Sequence, residues 1–222
     1  MRMVLMALGL MMSCALYGQS GGTTVRFAIT YGGEPLELGK AVWDAELEDS
    51  LTIDILRFYV GQLSLGEAEV IPGYHLLDLE DRASLVLEFP EPKAEASHLS
   101  FSLGVDSVTS VSGAMAGDLD PMHGMYWAWQ SGYINFKLEG HTPKCPARKN
   151  RFQYHLGGYQ HPYNAHRRVE LLIKNGREVV VEIPLDKLLK TIDLVEEYKV
   201  MSPGKPGLQF TDHLAKIIQA VP

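Results

Sequence analysis

Cysteine, basic charge and extended apolar stretches are all scarce in this chain, and each scarcity narrows what it can be. Cys14 and Cys145 are its two cysteines. Cys14 sits inside an apolar N-terminal segment, so one thiol remains beyond it, and one thiol cannot close an internal disulfide. A disulfide scaffold is excluded. Lys and Arg number 20 against 27 Asp and Glu, giving a net charge of −7. Phosphate backbones are bound by clustered Lys and Arg; no basic block is present, and no nucleic-acid partner is expected. After residue 18 no apolar run approaches the about 20 residues of a membrane-spanning helix. Catalytic signatures are missing too. There is no G-x-S-x-G elbow, no H-E-x-x-H and no zinc-finger spacing, and Ser, His and Asp scatter without pattern. No enzyme is expected.

What the sequence does contain begins with residues 1–18 (MRMVLMALGLMMSCALYG), where one charge, Arg2, precedes an unbroken apolar stretch. That is the pattern of a secretory signal peptide. Cleavage near Gly18/Gln19 leaves residues 19–222 as one β domain, periplasmic or otherwise exported and expected to be monomeric. Lipidation at Cys14 is the less favoured outcome, because Met11-Met12-Ser13 offers no aliphatic residue three places before the Cys.

Strand signals dominate the rest. Val25–Tyr31 is short, β-branched and aromatic, and stops at Gly32-Gly33. Thr52–Leu65 alternates with apolar residues on both faces, so both faces should be covered, and Gly61 marks a bulge or a close backbone approach. Further strands are expected at Tyr74–Leu79, Ser84–Phe89, His98–Leu103, Met125–Glu139, Arg151–Leu156, Arg168–Lys174 and Glu178–Ile183. Asn175-Gly176 between the last two reads as a hairpin turn. Helices are expected at Leu185–Ile192 and Phe210–Val221, the second with Thr211 or Asp212 as N-cap, after a Ser202–Gly207 loop. The fold class is therefore all-β: an antiparallel β-sandwich or barrel with one or two short peripheral helices.

Chemistry concentrates in Gly117–Gly140 (GDLDPMHGMYWAWQSGYINFKLEG), where Tyr126, Trp127, Trp129, Tyr133 and Phe136 crowd together. Trp127 and Trp129 would share one face of a strand, and by composition alone both read as core residues. His123 stands four residues before Trp127 in a Gly-flanked loop. His155 ends the string Phe152-Gln153-Tyr154-His155; His161 and His166 flank a Pro-Tyr-Asn turn and are expected to face solvent. Neutral imidazole is the usual nitrogen ligand for Cu, Zn and Ni. Asp118 and Asp120 resemble a calcium pair, but with no further carboxylates at loop spacing they read as shapers of the turn. Cys145, in Lys144-Cys145-Pro146, reads first as inert.

Three strings, Gly117-Asp118-Leu119-Asp120-Pro121 with Gly124-Met125-Tyr126-Trp127-Ala128-Trp129-Gln130-Ser131-Gly132-Tyr133, Arg57-Phe58-Tyr59, and Phe152-Gln153-Tyr154-His155-Leu156-Gly157-Gly158, resemble the signature of the MbnP-like, methanobactin-associated copper-binding family. The resemblance runs from about Val25 to Ile183. It implies an exported protein that partners a dihaem oxidase of the cytochrome-peroxidase type (MbnH-like). It further implies one copper held by two His and by a kynurenine made from Trp. Intact indole has a donor N–H and no free lone pair; ring opening supplies an amine that can coordinate. Carried over residue by residue, the metal set is His123, Trp127 and His155, with Trp129, Met125 and Met122 behind them. Where the family has its first His, this chain has Met122, and His123 follows one place later. The alternative, from a different class, is a metal-free β-sandwich module that uses exposed aromatics to bind glycan or protein.

Overall fold

The computed structural model describes residues 22–66, 69–89, 96–130, 132–174 and 176–221. The expected signal segment, Cys14 and Asn175 of the expected turn lie outside these residues. Strands dominate. In chain order they are β1 (Thr23–Tyr31), β2 (Glu34–Pro35), β3 (Ala41–Asp44), β4 (Asp49–Leu65), β5 (Glu69–Asp78), β6 (Val86–Phe89) and β7 (His98–Leu103). After the short helix α1 (Ser107–Val111) come β8 (Tyr126–Trp127), β9 (Gly132–His141), β10 (Arg151–Gly157), β11 (Arg167–Leu172) and β12 (Glu178–Pro184). The chain finishes with α2 (Leu185–Leu189), β13 (Lys199–Val200), α3 (Lys205–Ile217) and β14 (Gln219–Val221).

The strands form two sheets, as expected of an all-β sandwich. The smaller runs β14-β12-β1-β2, with β6 also on β1; the larger runs β11-β7-β4-β9-β10-β13, with β3 and β5 on β4 and β8 on β9. Pairing is largely antiparallel, but β1–β12 and β10–β13 are parallel. Between the sheets lies a core rich in phenylalanine: Phe27 meets Phe101 and Phe58 edge-on, at ring-centroid distances of 5.5 and 6.2 Å. α3 closes one side by setting Phe210 against Tyr154 and Phe136.

β4 is the spine, and its two faces serve different cores. Phe58 turns inward. Tyr59, on the other face, joins a second, smaller cluster with Val105, Leu119, Met125, Trp127, Tyr133 and Ile134. Both faces of β4 are thus covered, as its composition required. The bulge falls where Gly61 suggested, with the β4–β5 register shifting between Gly61 and Leu63. Gln62 takes φ of 48° there, and a Cβ on Gly61 would overlap the Tyr74 ring.

Several expectations need correction. β11 and β12 do not form a hairpin: β11 pairs with β7 and β12 with β1 and β14, so the connection crosses between sheets. Tertiary burial on two different layers overrides the local turn signal. Met125–Glu139 is not one strand, because the chain turns after Trp127, where Gln130 N–H bonds back to the Trp127 carbonyl. The last helix starts five residues earlier than expected. Pro206 occupies its first turn, where a missing N–H costs nothing, while Thr211 bonds the Gly207 carbonyl from mid-helix rather than capping. Its expected tail is instead β14, paired with β12. The strand expected from Ser84 begins as a 3-10 turn (Arg82–Leu85), and the helix expected to reach Ile192 ends at Leu189.

Candidate metal centre

Segment 117–133 is laid over the outer face of the larger sheet by hydrogen bonds from that sheet. Tyr59 donates its phenol to the Asp118 carbonyl at 2.9 Å. Asp118 places a carboxylate oxygen 2.9 Å from the Leu76 N–H on edge strand β5. Asp120 accepts the Met122 N–H and starts the 3-10 turn Pro121–His123, which Gly124 ends at φ 68°. Arg57 and Lys137 then hold the carbonyls of His123 and Gly124, at 3.1 and 3.2 Å. Asp118 and Asp120 therefore shape the loop, as their spacing suggested.

His123 is turned toward β5. Its Nε2–H donates to the Gly117 carbonyl at 3.1 Å, which in the neutral ring leaves the lone pair on Nδ1. With His75, Asp118, Asp78, Asp81 and Ser84 it lines a cleft of about 290 Å³. His75 Nδ1 stands 4.0 Å from the Asp118 carboxylate, and its Nε2 is sealed with no hydrogen-bond partner. His75 went unnoticed in the sequence, where it is a lone imidazole inside an apolar strand; its neighbourhood to His123 is created by the loop folding over the β5 edge.

His155 lies opposite Lys137 of β9. It is buried on β10, donating Nε2–H to Glu139 Oε1 at 2.8 Å. Glu139 also receives Arg151 and Gln153, each at 3.2 Å, and lies 3.8 Å from Lys137 Nζ. The bond from His155 is the largest influence holding the Glu139 carboxyl well down, at about 2. Burial in turn lowers the affinity of Lys137 for its proton.

Trp127 packs over the same strand, two residues on. A Cβ on Gly157 would lie 2.8 Å from its ring. The Trp127 Nε1–H is sealed and unpartnered. Trp129 is 66% exposed, with its ring centroid 5.9 Å from that of Trp127. The two indoles meet through the turn after β8 rather than through strand alternation. Met125 is buried in the small outer cluster, and Met122 is almost fully exposed beside His123.

Of the residues singled out from the sequence, Trp127, Trp129 and His155 lie at β10, while His123 shares a cleft with His75 and its loop is tied to Lys137, the cross-strand neighbour of His155. Asp78, Arg57, Lys137 and His155 are successive partners across four strands. The loop after His123 reaches toward His155 through Lys137, whose Nζ lies 3.2 Å from the Gly124 carbonyl and 3.8 Å from Glu139 Oε1, the acceptor of the His155 Nε2–H. In the β5 cleft one imidazole nitrogen, His75 Nε2, has no hydrogen-bond partner, and Arg57 neutralises the lining Asp78 at 2.7 Å. Among the described residues no three His, Cys, Asp or Glu side chains are arranged to hold a metal by themselves.

The remaining histidines and the thiol are accounted for differently. His161 is exposed as expected, but His166 is half-buried, with Nε2 sealed from solvent and its pKa pushed down by burial. Cys145 is buried and donates Sγ–H to the Arg151 carbonyl at 3.2 Å.

The model of the MbnP family matches residues 20–202. The chain belongs to the MbnP family. The solved structure of MbnP from Methylosinus trichosporium shares its fold, with a TM-score of 0.62 over 84% of this chain and 86% of that one, at 17% identity. No curated protein matches the sequence at a significant level. The MbnP match takes in His75, His123, both indoles and His155; α3 and β14 lie beyond its end. Among the described residues no helix is long and apolar enough to cross a membrane.

Proposed function

We propose that this chain is an exported copper-binding protein that works with a dihaem oxidase of the cytochrome-peroxidase type, and that copper enters at the β5 cleft through His75 and His123. The observation that carries the reading is the pairing of these two imidazoles in one cleft, with His75 Nε2 unpartnered. Buried polar atoms without partners are uncommon, and nitrogen donors favour copper among divalent first-row metals. When bound, the metal supplies a redox-active centre. The side chains supply its position: the Gly117 carbonyl orients His123, and the Asp118 carboxylate, 4.0 Å from His75, adds a favourable negative charge. For Cu(I) the third donor is the thioether of Met122; a kynurenine formed from Trp127 or Trp129 would stand at β10 and serve a site that includes His155.

Oxidation by a second protein needs an indole at the surface. Trp129 meets that need and Trp127, 5% exposed, does not. Val108, Val111, Met115 and Met122 are also exposed within the same 107–129 stretch, which favours docking of a protein partner there. That face also suits the metal-free reading, in which the aromatics serve binding alone.

Copper titration of His75→Ala, His123→Ala and His155→Ala tests the assignment. Loss of stoichiometric copper in the first two, with retention in the third, is expected. Loss in His155→Ala with retention in His75→Ala would move the metal to the Trp127 end, and absence of copper from the unaltered chain would leave the binding module. Peptide mass spectrometry after exposure to the oxidase and peroxide should find Trp129 converted to kynurenine, one oxygen gained and the indole C2 carbon lost as formate.

A further inference from the structure

Tyr154 and His155 leave β10 on opposite faces, and Tyr154 goes inward, into the core between the sheets. Its ring is fully buried and meets that of Phe210 on α3 at 5.1 Å between centroids. Its hydroxyl is sealed and has no hydrogen-bond partner. Phenylalanine would fill the same place without a polar atom to satisfy, so packing alone does not account for the oxygen.

A cavity of about 120 Å³ lies between Tyr154, the 191–200 segment and α3. That is far more than the about 10–15 Å³ one water needs, and well below the about 300–1,000 Å³ of pockets for drug-sized ligands. Pro206, Gln209, Phe210 and His213 recur at i, i+3, i+4 and i+7, so one face of α3 forms a wall. Two of those four are polar. Ile192 and Val200 add apolar surface, and Glu197, exposed to solvent, adds a carboxylate. Among the described residues no Lys or Arg lines the cavity. Burial first, and then Cys145, Glu197 and Asp193, push the pKa of the Tyr154 phenol far up. The phenol therefore keeps its proton, and the groups that bear on it are acidic.

An anion is repelled by these surroundings, and a purely apolar molecule leaves the hydroxyl unpaired. A protonated amine meets both demands. Its N–H groups donate to phenol and carboxylate oxygens, and its charge is favoured by Glu197 and by nearby aromatic rings. We propose that this cavity binds a small primary alkylammonium ion, with its nitrogen between Tyr154 Oη and the Glu197 carboxylate and its carbon chain against Ile192, Val200 and Phe210. The site is independent of the copper reading: Tyr154 belongs to the inner core, whereas the loop that carries His123 and both indoles covers the outer face of the same sheet. One wall comes from α3, beyond the residues that the family model matches, so membership of the family does not imply it.

Calorimetric titration of the protein with propylammonium chloride, 1-propanol and sodium propionate, at one ionic strength, varies the charge at nearly constant size. One saturable propylammonium site is expected, with 1-propanol about tenfold weaker and propionate without measurable binding. Glu197→Gln should weaken propylammonium about tenfold and leave 1-propanol unchanged, a difference that lost packing would not produce. Tyr154→Phe should weaken propylammonium about fivefold. Its thermal unfolding without ligand should come no earlier than that of the unaltered protein, because the hydroxyl it removes is unpaired. If Tyr154→Phe does not fold, the surface variant Glu197→Gln decides alone. Equal affinity for 1-propanol and propylammonium, or propylammonium affinity unchanged in Glu197→Gln, overturns the proposal. So does the absence of saturable binding, which would leave a cavity that holds water only.

Discussion

Glu139 carries more of the polar structure than any other carboxylate near the candidate site. It is nearly sealed and receives His155, Arg151 and Gln153. Its carboxyl is held at about 2 against an ordinary 4.5, so the contribution to stability is present above about pH 4.5 and is lost as pH falls toward 2. The shift corresponds to about 3 kcal/mol. Glu139→Gln should therefore lower the unfolding free energy at pH 7 by about 2–3 kcal/mol, and should flatten its pH dependence between about pH 4.5 and 2. Urea titrations across that range check both. The sequence singled out His155 but not its partner, because the partner stands on the neighbouring strand and only register supplies it. Likewise His123 was visible beside its Gly residues, whereas His75 acquires meaning from a loop bond, Asp118 to Leu76, that no spacing encodes.

Strand β10 accepts Trp127 because Gly157 leaves room for the indole. A methyl group there would stand 2.8 Å from the ring and press on the Tyr133 carbonyl. Gly157→Ala should cost about 1–3 kcal/mol by overpacking and lift the indole toward water, read as a red shift in Trp fluorescence. Gly61→Ala should cost a similar amount, about 1–3 kcal/mol, by driving against Tyr74; thermal unfolding measures it. The Gly61 bulge was legible because glycine inside an alternating strand has few other uses. The β8–β9 break was not, since Met125–Glu139 is apolar and aromatic throughout and periodicity cannot locate a turn inside such a run. α3 began early for a related reason: Pro206 and Gly207 look like loop residues, yet a proline starts a helix well, and the buried glycine lets this one lie close to Leu156 and Val200.

The two clusters on either side of the larger sheet divide the work of the molecule. Between the sheets, Phe27 is fully buried and contacts rings of two strands, so Phe27→Ala should cost about 3–5 kcal/mol while leaving the copper binding proposed above unchanged. Denaturation and copper titration of the same variant read the two effects separately. The all-β class followed from the many short alternating segments, but their order did not. Asn175-Gly176 pointed to a hairpin, and only the burial of β11 and β12 on different layers sends them apart. The parallel pair β1–β12 joins strands from opposite ends of the chain, a pairing with no local signature. That pairing has a consequence for how the molecule is made. One flank of β1 stays bare until residues 178–184 are available, so the smaller layer closes only after the strands of the larger one, β13 apart, have all been made.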